Sequence, residues 1–248
     1  MTLQWPAGGD AAAERVWRGV LAPIAAELRA NSAELAGQTV ARMRAELPQL
    51  LPDEQMVAEH LVSIEASLRE LAQVIEAGSD PRQVDLPPST TAIARAAVQQ
   101  QTSLADLMRN YRLGQELVWQ WIYSRITATV SDPADLGKAI ELATAWIFGY
   151  VDGALVRAEQ AYESEREAWL RGAAASRAAA VDDIVVERER DPQRASTRLR
   201  YDINRQPVGI VAWTESVPDD GDAQPLLGTV IADVARAAEA DSSVVHPA

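Results

Sequence analysis

Apolar residues recur at helical spacing through most of residues 1–190. Residues 11–30 show the pattern clearly, because one ladder advances in steps of four through Val16, Val20, Ile24 and Leu28. Steps of three or four residues place side chains on one face of an α-helix. Pro23 falls inside this segment, and we expect it to kink or split the helix. The pattern predicts a mainly α fold.

Cap and breaker residues divide the following sequence into further helices. Asp53 can accept hydrogen bonds from the free amides of a first turn, and Thr102 or Ser103 can do the same for a later helix. Gly78 ends the helix that Asp53 begins, and Pro133 suits a first helical position. The predicted helices cover residues 32–47, 53–77, 89–101, 103–130 and 134–189.

The last of these segments, residues 134–189, contains no proline. It would measure roughly 80 Å at about 1.5 Å per residue. Leu155, Tyr162 and Trp169 recur in it at seven-residue intervals, which is a short coiled-coil pattern. A dimer seam fits this segment, and so does an exposed linker helix whose alanine and charge content favours helicity. We favour the seam and predict a homodimer.

Residues 191–248 show a different pattern. A short helix or turn is predicted at 196–203, a buried strand at 207–213 (PVGIVAW) and an amphipathic helix at 226–240. One strand and one helix cannot close a sheet by themselves. This part of the chain therefore predicts an incomplete α/β domain.

The stretch LADLMRNYRLGQELVWQWI, residues 104–122, gathers unusual side chains on one helix. At about 100° per residue, one face carries Leu104, Leu107, Met108, Tyr111, Gln115, Val118, Trp119 and Ile122. Arg112 lies at the margin of this face, where an unpaired charge is costly. It either braces the fold, for example by a cation–π contact with Trp119, or serves an anion-binding or pocket role. The candidate ligand-pocket residues are Tyr111, Arg112, Gln115 and Trp119.

A second apolar strip runs along the same helix, through Leu113, Leu117 and Trp121. A helix that is apolar on two sides is either central in its bundle or shared with a partner. Together with the seven-residue series, this strip supplies the candidate dimer-interface residues, which are Leu113, Leu117, Trp121, Leu155, Tyr162 and Trp169.

Composition restricts the class of protein. The 248 residues allow one large domain or two ordinary ones, and the absence of Cys excludes disulfides and thiolate chemistry. Acidic residues outnumber basic ones, 36 to 23, and the net charge of −13 repels nucleic-acid phosphates. There is no signal-peptide core and no run of about 18 uninterrupted apolar residues. We expect a cytoplasmic protein that binds neither nucleic acid nor a membrane directly.

The sequence offers little for enzymatic chemistry. Histidine occurs only at His60 and His246, which excludes a multi-histidine metal site. No glycine-rich phosphate-binding loop is present. A lone helical histidine such as His60 can ligate haem, but a surface or partly buried polar role is the more common one. We expect no catalytic residue, no metal and no cofactor.

The run ARAAVQQQTSLADLMRNYRLGQELVWQWI, residues 94–122, resembles the N-terminal helical domain of PucR/CdaR-type bacterial transcriptional regulators. That domain is similar to the globin-like, non-haem sensor domain of the RsbR group of stressosome proteins. The resemblance rests on Ala94-Arg95, Ser103-Leu104, Leu107, Tyr111-Arg112-Leu113-Gly114 and Trp119. It implies a globin-like helical bundle with a long C-terminal linker helix.

Further along, SRAAAVDDIV and STRLRYDINRQPVGIVAW resemble the start of the GGDEF-like middle domain of the same regulators. Two positions depart from that pattern, Arg200 where glycine is usual and Pro207 where histidine is common. The helix-turn-helix domain of such regulators has no counterpart after His246. The implied organisation is a flexible N-terminus (1–10), a helical sensor domain (11–155), a linker or coiled-coil helix (156–190) and an incomplete GGDEF-like α/β domain (191–248).

The resemblance implies a regulatory function. The chain would be the sensory and dimerisation portion of a PucR-type regulator, coupling an unidentified small-molecule ligand or partner protein to a DNA-binding domain outside this sequence. The alternative is an RsbR-like, stressosome-type protein-interaction module without a small ligand.

Overall fold

The computed structural model of the chain describes residues 3–83, 85, 87–199, 201–203, 210, 212–214 and 224–238. Within these residues the protein is mainly helical and has no β-strand, which confirms the predicted mainly α class. The chain divides into two compact units, Met1–Arg166 and Glu167–Ala248.

The helices that contribute to the first unit begin and end close to the predicted cap residues. They are α1 (Ala11–Val16), α2 (Ala22–Ala30), α3 (Ser32–Glu46), α4 (Glu54–Ala77), α5 (Pro88–Gln99), α6 (Leu104–Thr129) and α7 (Pro133–Val185). Asp53 caps α4 by accepting a hydrogen bond from the Met56 amide at 2.8 Å, and Ser103 caps α6 through the Asp106 amide at 3.1 Å. Gly78 ends α4 with a φ of 66°, a left-handed conformation that favours glycine.

The interruption predicted at Pro23 is present as a change of helix type. A π-helical turn, Trp17–Leu21, separates α1 from α2, and Pro23 lies in the first turn of α2. Proline lacks the N–H that continues the α-helical ladder. The preceding π turn, in which the Ala22 amide bonds to the Trp17 carbonyl, absorbs this loss.

Two tryptophans anchor the main hydrophobic core of the first unit. Trp17 and Trp146 are buried, and their indole N–H groups donate to the carbonyls of Ile75 at 2.6 Å and Ser79 at 3.0 Å. Buried tryptophan supplies a large apolar area and requires a partner for its N–H. Because both carbonyls lie at the C-terminal end of α4, this end is fixed between the π turn and α7.

The N-terminal segment, for which the sequence predicts flexibility, is held against this core from residue 3 onward. Leu3 is buried, and the Trp5 ring packs edge-on against Trp146 with 6.2 Å between ring centroids. The Gly78 carbonyl accepts a hydrogen bond from the Gln4 amide at 2.9 Å. The segment is anchored because it covers apolar surface that the helices leave open.

Helix α6 packs on two sides within the first unit. Val118, Ile122 and Ile126 enter the main core. Leu113, with Leu117 against it, enters a second cluster formed by Val40, Met43, Leu47, Leu50 and Val57. Of the two explanations for a helix with two apolar strips, a central position in the bundle therefore applies to Leu113 and Leu117.

Helix α7 contains the most apolar stretch of the described chain. By length and composition alone it is the one described helix that could cross a membrane. Within this helix, half of the apolar 18-residue window that is long enough to cross a membrane is buried inside the chain. Leu142, Trp146 and Ile147 are fully buried in the main core, which is the behaviour of a core helix.

In the second unit the described residues form the C-terminal part of α7, then α8 (Pro192–Leu199) and α9 (Gln224–Ala237). Arg198 of α8 pairs with Asp183 of α7 at 2.7 Å. The amphipathic helix predicted at 226–240 is confirmed by α9.

Of the strand predicted at 207–213, the structure describes only three residues. Ile210, Ala212 and Trp213 have no regular secondary structure, and the other residues of this segment lie outside the described ones. An isolated strand has no neighbour to complete its hydrogen-bond ladder. Where the structure describes residues 191–248, they form helix and irregular chain, and the strand of the expected α/β segment is not seen among them.

Candidate ligand pocket

A cavity of about 100 Å³ lies among α3, α4, α5, α6 and α7 of the first unit. Its wall is mainly apolar, with side chains from Leu35, Ile64, Leu68, Leu71, Ile93, Val118, Val151 and Ala154. None of the residues described as lining it is charged. Concave, mostly apolar cavities with a few polar groups are the usual form of a small-molecule site. We call this cavity the Tyr150 pocket.

Tyr150 gives the pocket its most unusual polar group. The residue lies on α7 and is 8% exposed, and its hydroxyl is buried with no hydrogen-bond partner among the described residues. Burial raises the pKa of Tyr150, and the Ser67 hydroxyl, which is near but outside hydrogen-bond geometry, opposes part of that rise. The phenol is therefore neutral at physiological pH. A buried hydroxyl without a partner costs free energy, so a group that could bond to it would be stabilised.

A second tyrosine approaches from the facing helix. Tyr111 of α6 lines the same pocket and is partly buried. Burial raises the pKa of Tyr111, and the neighbouring Tyr150 raises it further. The Tyr111 hydroxyl makes no hydrogen bond to a described residue. Two phenol hydroxyls thus lie near one another without a partner among the described residues.

Three smaller hydroxyl groups form a cluster in the pocket wall, whose polar residues also include Thr39, Asn110 and Gln115. The Thr90 hydroxyl of α5 lies 3.1 Å from that of Ser63 and 3.4 Å from that of Ser67, both on α4. Ser63 and Thr90 are buried, so these bonds satisfy groups that water does not reach. The cluster joins α5 to α4. The polar lining groups of the pocket are therefore neutral hydroxyls and amides, and the rest of its wall is apolar.

Gly114 of α6 contributes an open stretch of wall. A Cβ atom added there would meet nothing within 4 Å, and the residue lines the pocket. Gly149 of α7 differs, because its added Cβ would lie 3.0 Å from Cγ of Pro81. A glycine in a helix interior costs about 1 kcal/mol relative to alanine. At Gly114 neither a tight contact nor a left-handed φ requires glycine, and the missing side chain leaves the pocket wider.

The four residues predicted for a ligand pocket fall in different places. Tyr111 and Gln115 line the Tyr150 pocket. Arg112 is exposed and forms no ion pair or hydrogen bond with a described residue, so its charge stays hydrated. Trp119 packs against the main core, with its ring centroid 5.9 Å from that of Tyr123. The suggested Arg112–Trp119 brace does not form in the described structure.

The predicted dimer strip on α6 is largely occupied within the chain. Leu113 is 5% exposed and Leu117 packs beside it, so neither offers a free apolar face. Trp121 is partly buried against the main core, and the Arg125 guanidinium lies 5.1 Å from its ring centroid. The side chain of Leu113 is thus already covered by the second cluster within the chain.

The residues of the seven-residue series on α7 also lie in different environments. Leu155 packs against the main core, and Tyr162 donates a hydrogen bond to the Thr102 carbonyl at 2.9 Å. Trp169, the first of the series in the second unit, is 40% exposed. Of the six interface candidates, Trp169 therefore has the large exposed apolar surface.

Sequence reasoning does not find Tyr150, Ser67 or Thr90 as pocket residues. One signal is present, since Tyr150 follows Trp146 by four residues and so places a polar tip on an apolar face of α7. Whether that tip meets a partner depends on which helices face it. The sequence around Tyr150 does not indicate which helices these are.

His60 is a buried histidine outside the pocket lining. Its Nδ1 lies 2.9 Å from the Met56 carbonyl, so Nδ1–H is the donor, and Nε2 has no partner among the described residues. Burial lowers the pKa of His60, which is therefore neutral at pH 7. No group of three metal-binding side chains is found in the part of the chain that the structure describes.

The fold and the pocket define a helical-bundle domain with an internal cavity of ligand size. The family model described as the RsbT co-antagonist protein rsbRD N-terminal domain matches residues 33–177. The match covers more than half of the chain and includes every residue that lines the Tyr150 pocket. The chain belongs to this family. Comparisons with curated proteins and with solved structures give no match.

Proposed function

We propose that the chain is a non-enzymatic regulatory module of the stressosome type, which receives an input in its helical first unit and responds through protein contacts. The observation that carries this proposal is the family match over residues 33–177. The family's description names a co-antagonist of RsbT. By extension, the partner of this chain is an RsbT-type protein, and the Tyr150 pocket is the place where the input is received.

Helix α7 is the element through which an input would act. It lines the pocket with Tyr150, Val151 and Ala154, and the same helix continues to Val185. A ligand shifts an equilibrium only by binding two states with different affinity. Any rearrangement of α7 that changes the pocket therefore changes the ligand's affinity, and by the same coupling the ligand biases α7.

The experiment is a binding measurement between the purified full chain and a purified RsbT-type protein from the same genome. We expect complex formation in sedimentation velocity. The variant Gly114→Leu, which places a larger side chain at the pocket wall, should alter the affinity of the chain for the RsbT-type protein or the effect of a ligand on that affinity. Gly137→Leu, on an exposed part of α7, is the matched control. If the wild-type chain forms no complex with the RsbT-type protein, the proposed function is wrong.

We further propose a cytoplasmic homodimer that binds neither nucleic acid nor a membrane. The support is the seven-residue series on α7 and the exposure of Trp169 together with Leu170, at 40% and 51%. Trp169→Lys should lower the sedimentation mass from dimer to monomer. Trp213→Lys, a change at a more exposed tryptophan outside the series, should leave it unchanged. A wild-type monomer at micromolar concentration would contradict this proposal.

A second candidate function is the sensory and dimerisation part of a PucR-type transcriptional regulator. It is favoured by the resemblance of residues 196–213, STRLRYDINRQPVGIVAW, to the start of a GGDEF-like domain. It predicts that a helix-turn-helix segment is encoded downstream of Ala248. The nucleotide sequence beyond that codon tests it, and the lack of such a segment would leave the stressosome-type proposal standing.

A further inference from the structure

We propose that the Tyr150 pocket binds a small, neutral molecule with a compact apolar body and one hydrogen-bond-accepting oxygen, which the Tyr150 hydroxyl recognises. The inference rests on the proposed function only in treating this pocket as the input site. Binding itself is measurable without any partner protein.

The need for an oxygen on the ligand follows from the unpartnered hydroxyl. The Tyr150 oxygen is buried and donates to no described residue, and the Tyr111 hydroxyl nearby has no partner among those residues either. Both phenols are donors when neutral. Ser63, Ser67 and Thr90 bond among themselves, whereas the Tyr150 hydroxyl is the lining group that is fully buried without a described partner. A carbonyl or hydroxyl oxygen between the two phenols would satisfy a donor that otherwise remains unpaired.

The absence of lining charge selects a neutral ligand. No described lining residue is charged, so an ionic ligand would lose its hydration without gaining a counter-ion. Two charges outside the lining affect the pKa of Tyr150 in opposite directions, since Glu70 raises it and Arg157 lowers it. A carboxylate or an ammonium group therefore has no compensating partner in the pocket.

The volume sets the size of the ligand. The pocket measures about 100 Å³, and an engineered apolar cavity of about 150 Å³ holds benzene. The ligand should therefore contain roughly four to six non-hydrogen atoms. Gly114 lines this volume, and a Cβ atom added there would meet no heavy atom within 4 Å, so the position has room for a larger side chain.

The test measures the binding of three matched probes to the full chain. The readout is a ligand-observed NMR titration. Cyclopentanone carries the apolar body and an acceptor oxygen, cyclopentane carries the body alone, and butyrate is a charged molecule of similar size. We expect cyclopentanone to bind with a dissociation constant on the order of millimolar, as fits so small a ligand. Cyclopentane should bind more weakly, and butyrate should not bind.

Two pairs of variants locate the site and the recognised group. Tyr150→Phe should weaken the binding of cyclopentanone roughly fivefold, because one net hydrogen bond is lost. The affinity for cyclopentane should be unchanged. Tyr123→Phe, at an exposed tyrosine of α6, is its control. Gly114→Leu should abolish binding of both probes while the chain stays folded, since leucine favours helix over glycine. Gly137→Leu is its control.

Each negative result has a separate meaning. No binding of any probe to the wild-type chain would show that the pocket holds water only, and would overturn the proposal. Binding that survives Gly114→Leu would place the site elsewhere and also overturn it. Neither result touches complex formation with an RsbT-type protein, so the ligand proposal and the proposed function fail independently.

Discussion

Replacing Tyr150 by phenylalanine should stabilise the ligand-free protein. The substitution removes one oxygen and leaves the ring. That oxygen is buried and has no hydrogen-bond partner in the described structure, so its hydration is lost on folding without replacement. Most substitutions of buried residues destabilise a protein. The expected sign here is the opposite, which makes the experiment informative.

The magnitude follows from the surroundings of the hydroxyl. An unsatisfied buried polar group costs about 1–3 kcal/mol. Tyr150 lies near the Ser67 hydroxyl in a pocket that is partly polar, which places the cost near the lower end of that range. We therefore expect the free energy of unfolding to rise by about 1 kcal/mol. In a chain of this length that corresponds to an increase in Tm of about 2–4 °C.

The assay is urea unfolding followed by far-UV circular dichroism, with the full chain at pH 7. The matched control is Tyr162→Phe, the same chemical change at a tyrosine whose hydroxyl donates to the Thr102 carbonyl at 2.9 Å. Losing that bond should lower the free energy of unfolding by about 1 kcal/mol. The two variants should shift the midpoint in opposite directions.

Destabilisation by Tyr150→Phe would refute the reasoning. It would mean that the hydroxyl is bonded in the ligand-free protein, for instance to an ordered water shared with Ser67. A stabilised variant that also binds cyclopentanone as well as the wild type would leave the stability argument intact and remove Tyr150 from ligand recognition.

Three further changes test the packing of the first unit by urea unfolding. Burial lowers the pKa of His60 from its usual 6.5, so at acidic pH the unfolded chain binds more protons than the folded chain. The free energy of unfolding should therefore fall as the pH falls below about 6.5, by up to about 1.4 kcal/mol per pH unit. His60→Gln should remove this slope between pH 7 and 5.5, and an unchanged slope would exclude His60 as its source. Gly78→Ala should cost about 2–4 kcal/mol, since φ is 66° and the new Cβ would lie 2.9 Å from the Trp17 ring. Gly9→Ala, with a φ of 87° and open space, should cost only the backbone strain of about 1 kcal/mol, and equal losses at the two glycines would argue against the ring contact. Asp53→Ala should cost about 1 kcal/mol through the lost cap, and Asp53→Asn should restore most of it.

The helix ends could be predicted from the sequence because capping interactions are local. Asp53 and Ser103 bond to amides three residues ahead, and Gly78 ends its helix through its own backbone conformation. Each signal lies within a few residues of the feature it determines. Such interactions need no knowledge of the rest of the fold.

Within the strand expected at 207–213, the described residues Ile210, Ala212 and Trp213 are irregular, which shows one limit of prediction from local pattern. A β-branched apolar run favours a strand only if another strand completes its ladder. Arg112 shows a second limit. Periodicity placed it at the edge of the apolar face, but the rotation of α6 in the bundle leaves it in solvent.

The sequence by itself determined a mainly helical chain, the ends of its helices and the apolar faces that they bury. Only the tertiary structure decided that Tyr150 of α7, Tyr111 and Gly114 of α6 and Ser67 of α4 surround one cavity. The physical reason is that helix formation depends on neighbours three or four residues away. A pocket depends on the packing of helices far apart in the chain, which here buries the Tyr150 hydroxyl without a partner among the described residues.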